Sequence, residues 1–255
     1  MAINPLLLLS GIGIMVLAAA SMLYWRRRTG ADMKFFMAGA GIWIVAVAVK
    51  LLLDLTVTVP LQQWAFSAAG LGGALAAVSV YVGVRTGLLE SGLSYFAILK
   101  TWLKRMKPKE AVAFGIGFGA FEAFIVGASS FLNVLIFVLM PEVIATVPVE
   151  YQAIIIEQLS ASTLFVIPAI IERAAAILLH VFSAVLVVYA VRTRKLKYLW
   201  YSVIYKAIVD GIIPGLVYAL NPASSLAGAY VIEIPFIMLG AIGFYGTKWL
   251  ARKKW

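Results

Sequence analysis

Long apolar runs separated by short polar or basic stretches make up nearly all of this 255-residue chain. Seven runs reach the roughly 18–20 residues that cross a hydrocarbon core, at 3–25, 34–58, 62–85, 110–139, 163–191, 199–220 and 226–249. The pattern predicts an all-α polytopic protein of seven transmembrane helices, forming one integral membrane domain over 1–255. No low-complexity segment, soluble domain, P-loop or convincing internal repeat interrupts it. The first run is expected to be retained as a span. No basic side chain precedes it, and Arg26, Arg27 and Arg28 follow it, the reverse of a signal peptide.

Basic residues orient the spans. Of the 21 Lys and Arg, three (Lys50, Arg173 and Lys206) fall inside runs, and the other 18 lie in alternate connections or after the last span. They occupy 26–34, 85–109, 192–197 and 248–254, and are absent from 56–63, 141–162 and 221–225. The latter three connections are therefore expected outside, with the N-terminus outside and the C-terminus cytoplasmic.

Composition agrees: 64% of residues are hydrophobic and 13% charged, against about 25% charged in soluble domains. The net charge of +10 then reads as topology signal and contact with lipid headgroups, not as a nucleic-acid surface. The expected location is the cell membrane, as a multi-pass protein. The absence of cysteine removes disulfides, thiol catalysis and Cys-ligated metals. Two connections carry patterns of their own. Residues 94–107 mix aromatic and aliphatic positions with Lys100 and Lys104 one turn apart, which predicts a basic amphipathic helix on the cytoplasmic face. Val149–Leu159 predicts an interfacial helix on the outer side.

Candidate chemistry rests on ionisable residues inside the spans, where such groups are rare and face one another. At about 1.5 Å per residue, Glu122, His180, Lys206 and Asp210 all lie about 12–18 Å from the cytoplasmic edge, on three different spans. Arg173 and His180 share one helix face, as do Lys206 and Asp210. Lys206 is expected to be held by Asp210, Glu122 or both. A second set lies nearer the outer half: Lys50 with Asp54, spaced as an internal ion pair, then Glu172 with Arg173, and Glu233. Gly115, Gly117 and Gly119 precede Glu122 and read as close helix packing, since no strand precedes them to make a dinucleotide loop. A metal could be ligated by His180 with Glu122 and Asp210, but one histidine and no cysteine form a thin set for zinc. No cofactor is expected.

A Gly-rich span with one Glu, then Glu172-Arg173 with His180 seven after the Arg, then a helix ending in Asp210-Gly211, resembles the YhfC family of predicted intramembrane peptidases. The resemblance covers about 115–211. That family belongs to the superfamily of CAAX-prenyl endopeptidases and bacteriocin-processing proteins, thought also to include the APH scaffold subunit of gamma-secretase. The resemblance implies a glutamate-type intramembrane endopeptidase, open to the cytoplasmic half of the bilayer. Glu122 and His180 would activate water, Glu172 and Arg173 would support them, and Asp210 would end an oxyanion-stabilising motif. The chain departs from that motif at Lys206, which stands where its histidine is expected. A lysine donates hydrogen bonds but cannot take an imidazole's acid–base role. Three readings stay open: the endopeptidase acting on a membrane-embedded peptide or protein, a non-catalytic APH-like scaffold binding such a partner, and a small proton-coupled transporter. Oligomeric state leaves no mark in the sequence.

Overall fold

The computed structural model describes residues 3–253 and, among them, contains ten α-helices and no strand. The helices are α1 (Leu8–Thr29), α2 (Met33–Leu53), α3 (Val59–Lys100), α4 (Pro108–Leu139), α5 (Val149–Leu159), α6 (Val166–Thr193), α7 (Lys197–Gly211), α8 (Ile213–Leu220), α9 (Leu226–Val231) and α10 (Glu233–Ala251). Six helical stretches are long and apolar enough to cross a membrane. Three of them each join two α-helices: Met33–Lys100, Lys197–Leu220 and Leu226–Ala251.

Met33–Lys100 is a hairpin. A straight helix would separate residues 50 and 90 by about 60 Å, yet Lys50 Nζ lies 2.6 Å from Glu90 Oε1, and Arg85 pairs with Asp54. The chain therefore folds back midway, where Ala69 and Gly70 leave helical geometry and Gly70 takes φ of 64°. Glycine adopts that left-handed conformation without the Cβ clash that other residues meet. Counting its two arms, the fold has seven arms of spanning length.

This hairpin corrects three sequence expectations. The reversal does not fall at 56–63. There the chain passes through a π-helical turn, Asp54–Thr58, and Pro60 sits in the first turn of α3, where a missing N–H costs little. The expected Lys50–Asp54 pair does not form among the described residues, because each finds a partner across the hairpin instead. The helix expected at 94–107 is not a separate surface element. Ser94 and Ile98 are buried on the last turns of α3, and only Trp102–Arg105 forms a short 3-10 turn. By contrast, Val149–Leu159 is helical, as its pattern predicts. Of the basic C-terminal tail, Lys254 lies outside the described residues.

Small residues set how the arms pack. In α4, Gly115 and Gly119 press on Val181 and Ile177 of α6, while Gly117 lies against the Phe36 backbone of α2. Gly11 of α1 meets Gly127, and Gly83 and Gly87 of α3 meet Ala207 and Val203 of α7. These pairings run antiparallel for α1–α4, α4–α6 and α3–α7, and parallel for α2–α4. Alternate arms thus point in opposite directions, and the four basic stretches gather at one end, except that Arg85, expected in a connection, lies within an arm of the hairpin and is paired to Asp54. Three buried serine hydroxyls, Ser91, Ser202 and Ser183, link α3, α7 and α6 through contacts of 2.8 and 2.6 Å.

Candidate active site

Close packing of α4 on α2 and α6 brings three polar side chains onto one carboxylate. Glu122 Oε2 accepts from Trp43 Nε1 at 2.9 Å and meets His180 Nε2, also at 2.9 Å. Its Oε1 accepts from Arg173 Nη1 at 3.2 Å. Arg173 is also paired to Glu172. Gly119 makes room for the imidazole, since a Cβ there would stand 3.1 Å from His180 Cβ and Cδ2. Phe118, one residue away, stacks on the imidazole with ring centroids 4.9 Å apart.

The other side of His180 faces a second carboxylate. Lys206 Nζ lies 3.1 Å from His180 Nδ1 and is paired to Glu90 Oε2, while Lys50 holds Glu90 Oε1. Lys206 also sits 4.4 Å over the Phe118 ring, a cation–π contact. An ammonium only donates, so Nδ1 accepts and Nε2–H donates to Glu122. The partners thereby assign one neutral tautomer, running Lys206 to His180 to Glu122.

Sequence reading brought Glu122, His180, Lys206 and Asp210 to one depth and set Glu172 and Arg173 nearer the outer half; the structure brings all six to the wall of one cavity of ≈ 160 Å³. Its account of Lys206 needs correcting. The lysine pairs with Glu90 and His180, and among the described residues forms no ion pair with Asp210 or Glu122. Asp210 lines the cavity beside Thr86. Glu90, only 2% exposed, is the residue that the sequence reading missed. It lies past Arg85, where the third apolar run was taken to end. The available signal was a small-residue face, Gly83, Gly87, Ser91 and Ser94, continuing the helix through it. Trp43 was missed as well, although it stands seven residues before Lys50 and so on its helix face.

The donor set decides against a resident metal. Both Glu90 oxygens are held by ammonium groups, both Glu122 oxygens by cationic or N–H donors, and both His180 nitrogens are engaged. Catalytic zinc commonly takes three protein ligands, and the described residues offer no group of three His, Asp or Glu disposed to hold an ion. Three cations, Lys50, Lys206 and Arg173, already balance Glu90, Glu122 and Glu172. Asp210 is the one carboxylate of the cavity without an ion pair among the described residues, so a divalent ion would still bring uncompensated charge into a low-dielectric interior.

The architecture and this site define a multi-pass membrane protein with an ionised polar centre enclosed among its spans. Over residues 13–245 the sequence matches the family model described as YhfC intramembrane metalloprotease, and the chain belongs to that family. Neither the curated proteins nor the solved structures yield a match. The metal in the family's description does not fit the side chains present here.

Proposed function

We propose that this protein is a glutamate-type intramembrane endopeptidase that uses water without a metal. One observation carries the reading: Glu122 and His180 meet at 2.9 Å on the wall of a polar cavity of ≈ 160 Å³, room for several waters. Buried polar atoms are nearly always satisfied, yet Arg173 Nε has no hydrogen-bond partner among the described residues, which fits a ligand or water in the cavity.

In this reading Glu122 takes a proton from a cavity water as the water oxygen attacks a peptide carbonyl carbon. The carbonyl oxygen becomes an oxyanion stabilised by the Lys206 ammonium or the Arg173 guanidinium. When the tetrahedral centre collapses, the C–N bond breaks and Glu122 returns its proton to the leaving nitrogen. His180 orients Glu122, and Lys206 holds His180 in the donating tautomer.

The test is a set of single-span peptides reconstituted with the full chain in vesicles containing ¹⁸O-water. A cleaved product should carry one heavy oxygen in its new carboxylate. Glu122→Gln should lower cleavage by about 10²–10⁴-fold, the usual contribution of a general base, with melting temperature retained. Wild-type cleavage by Glu122→Gln would remove Glu122 from the mechanism. Treatment with EDTA or phenanthroline should leave the rate unchanged, whereas loss on chelation and recovery with zinc would overturn the donor-set argument.

A second reading, a non-catalytic scaffold, is favoured by Glu90, whose two lysines tie α2, α3 and α7 together. It predicts that no peptide is cleaved and that Glu122→Gln leaves capture of a membrane partner intact.

A further inference from the structure

Beside the polar cavity lies a second one of ≈ 310 Å³, sharing Glu172, Ile213 and Phe236 with it. It reaches toward the end of the bundle where α6 begins and α8 ends, at Pro168 and Val217. That is the end opposite the basic stretches, so the adjoining space does not lead to the cytoplasmic half expected from sequence. Apart from the shared Glu172, which is paired to Arg173, its walls are apolar with one exception. Glu233, in the first turn of α10, is 7% exposed and lines this space, and its Oε2 has no hydrogen-bond partner among the described residues.

An unpartnered carboxylate in such a place is costly unless something arrives to meet it. Within the spans Glu90 and Glu122 are each held by cations of this chain, whereas Asp210, on the wall of the polar cavity, has no ion pair among the described residues. Arg173, on the wall of the adjoining cavity, is already committed to Glu122 and Glu172. Glu233 likewise lacks an internal counter-ion, and it is set apart by lining the apolar space that adjoins the cavity of the Glu122–His180 pair, with a buried oxygen left unbonded.

We propose that this vestibule binds a cationic nitrogen of a membrane-embedded peptide, flanked by apolar side chains, with Glu233 as its counter-ion. The apolar walls take the neighbouring side chains, and the shared wall at Glu172 and Phe236 directs the following backbone toward Glu122. The recognised group is a protonated amine or guanidinium, supplied either by a basic side chain near the end of a span or by a free N-terminus. The assignment deepens the endopeptidase reading and rests on it for the fate of the bound peptide, but not for binding itself.

Binding is therefore the readout. Single-span Leu/Ala peptides in phosphatidylcholine vesicles would carry lysine, acetyl-lysine or norleucine at the vestibule end, with blocked N-termini. A fourth peptide would have norleucine and a free amine. Energy transfer to the labelled full chain reports affinity. The lysine or the free-amine peptide should bind about tenfold tighter than the neutral ones, the scale of one charge-assisted hydrogen bond. Which of the two is preferred names the source of the nitrogen. Glu233→Gln should erase the preference, and Glu122→Gln should keep it. Wild-type binding in which neither the lysine nor the free-amine peptide exceeds the neutral ones would overturn the proposal without needing any variant to fold. A preference that survives Glu233→Gln would do the same. Cleavage without preference would sink the vestibule alone, and preference without cleavage would sink the endopeptidase alone.

Discussion

Lys206 is the side chain whose role changed most between sequence and structure, and its new partners make a sharper test. It is 6% exposed and shares Glu90 with Lys50. Lys206→Met should therefore leave a desolvated carboxylate with one counter-ion, costing on the order of 3–5 kcal/mol. Adding Glu90→Gln and Lys50→Met together, which removes the carboxylate without stranding its second counter-ion, should recover most of that loss, whereas adding Asp210→Leu should not. Thermal unfolding in detergent separates the two variants, and rescue by Asp210→Leu instead would restore the pairing expected from sequence. Depth along a helix was readable because rise per residue is constant, so Glu122, His180 and Lys206 could be aligned from the sequence. Which carboxylate faces which cation was not readable. That depends on helix rotation and on Glu90, whose polar surroundings Arg85, Ser91 and Ser94 look like a solvated connection. Their partners lie inside the protein instead: Arg85 pairs with Asp54 and Ser91 bonds to Ser202, while Ser94 is buried.

At the scale of elements, the glycines of α4 place the site. A side chain at Gly117 would put its Cβ 2.5 Å from Phe36 Cα, with backbone on the α2 side unable to rotate away. Gly117→Val should then force α2 and α4 apart and lengthen the Trp43–Glu122 hydrogen bond, which sits further along the same interface. We expect a loss of about 1–3 kcal/mol or more, as for other overpacked interiors. Gly41 has open space around its missing Cβ, and Gly41→Ala should be neutral or slightly stabilising. Melting temperatures of the pair check this directly; equal shifts would mean that the α2–α4 contact is not what constrains the chain. The packing role of these glycines was legible from their spacing. The hairpin was not. Pro60 with Gln62 and Gln63 imitates a turn, while the actual reversal at Ala69 and Gly70 is buried in the sequence among alanines, leucines and glycines. Polarity marks where water is, and a reversal completed by one left-handed glycine needs little polarity.

For the whole molecule, alternate arms run in opposite directions, and four basic stretches fall at one end. An odd number of arms puts the two chain ends on opposite sides, and the basic end should be cytoplasmic. The hairpin changes one address in this scheme: the outer connection between the second and third arms is near residue 70, not 56–63. Each arm of the hairpin is on the order of 45–55 Å long at helical rise, longer than the hydrocarbon core, so its tip should stand at or beyond the outer interface. Because the chain has no cysteine, single substitutions report accessibility without any background. Gly72→Cys, Ala145→Cys and Ala223→Cys should react in intact cells with a maleimide that cannot cross the membrane. Thr101→Cys and Leu196→Cys should react only after the cells are opened. Gly72 has room for the new side chain, so a negative result there cannot be assigned to a steric clash. Protection of Gly72→Cys together with labelling of Ala145→Cys would place the hairpin tip within the bilayer, making Met33–Lys100 a re-entrant element. The arm count would then fall to five crossings, and the orientation of the ends would survive, because two arms would be lost together. Labelling of Thr101→Cys in intact cells would instead invert the whole molecule and place the Glu233 vestibule on the cytoplasmic side.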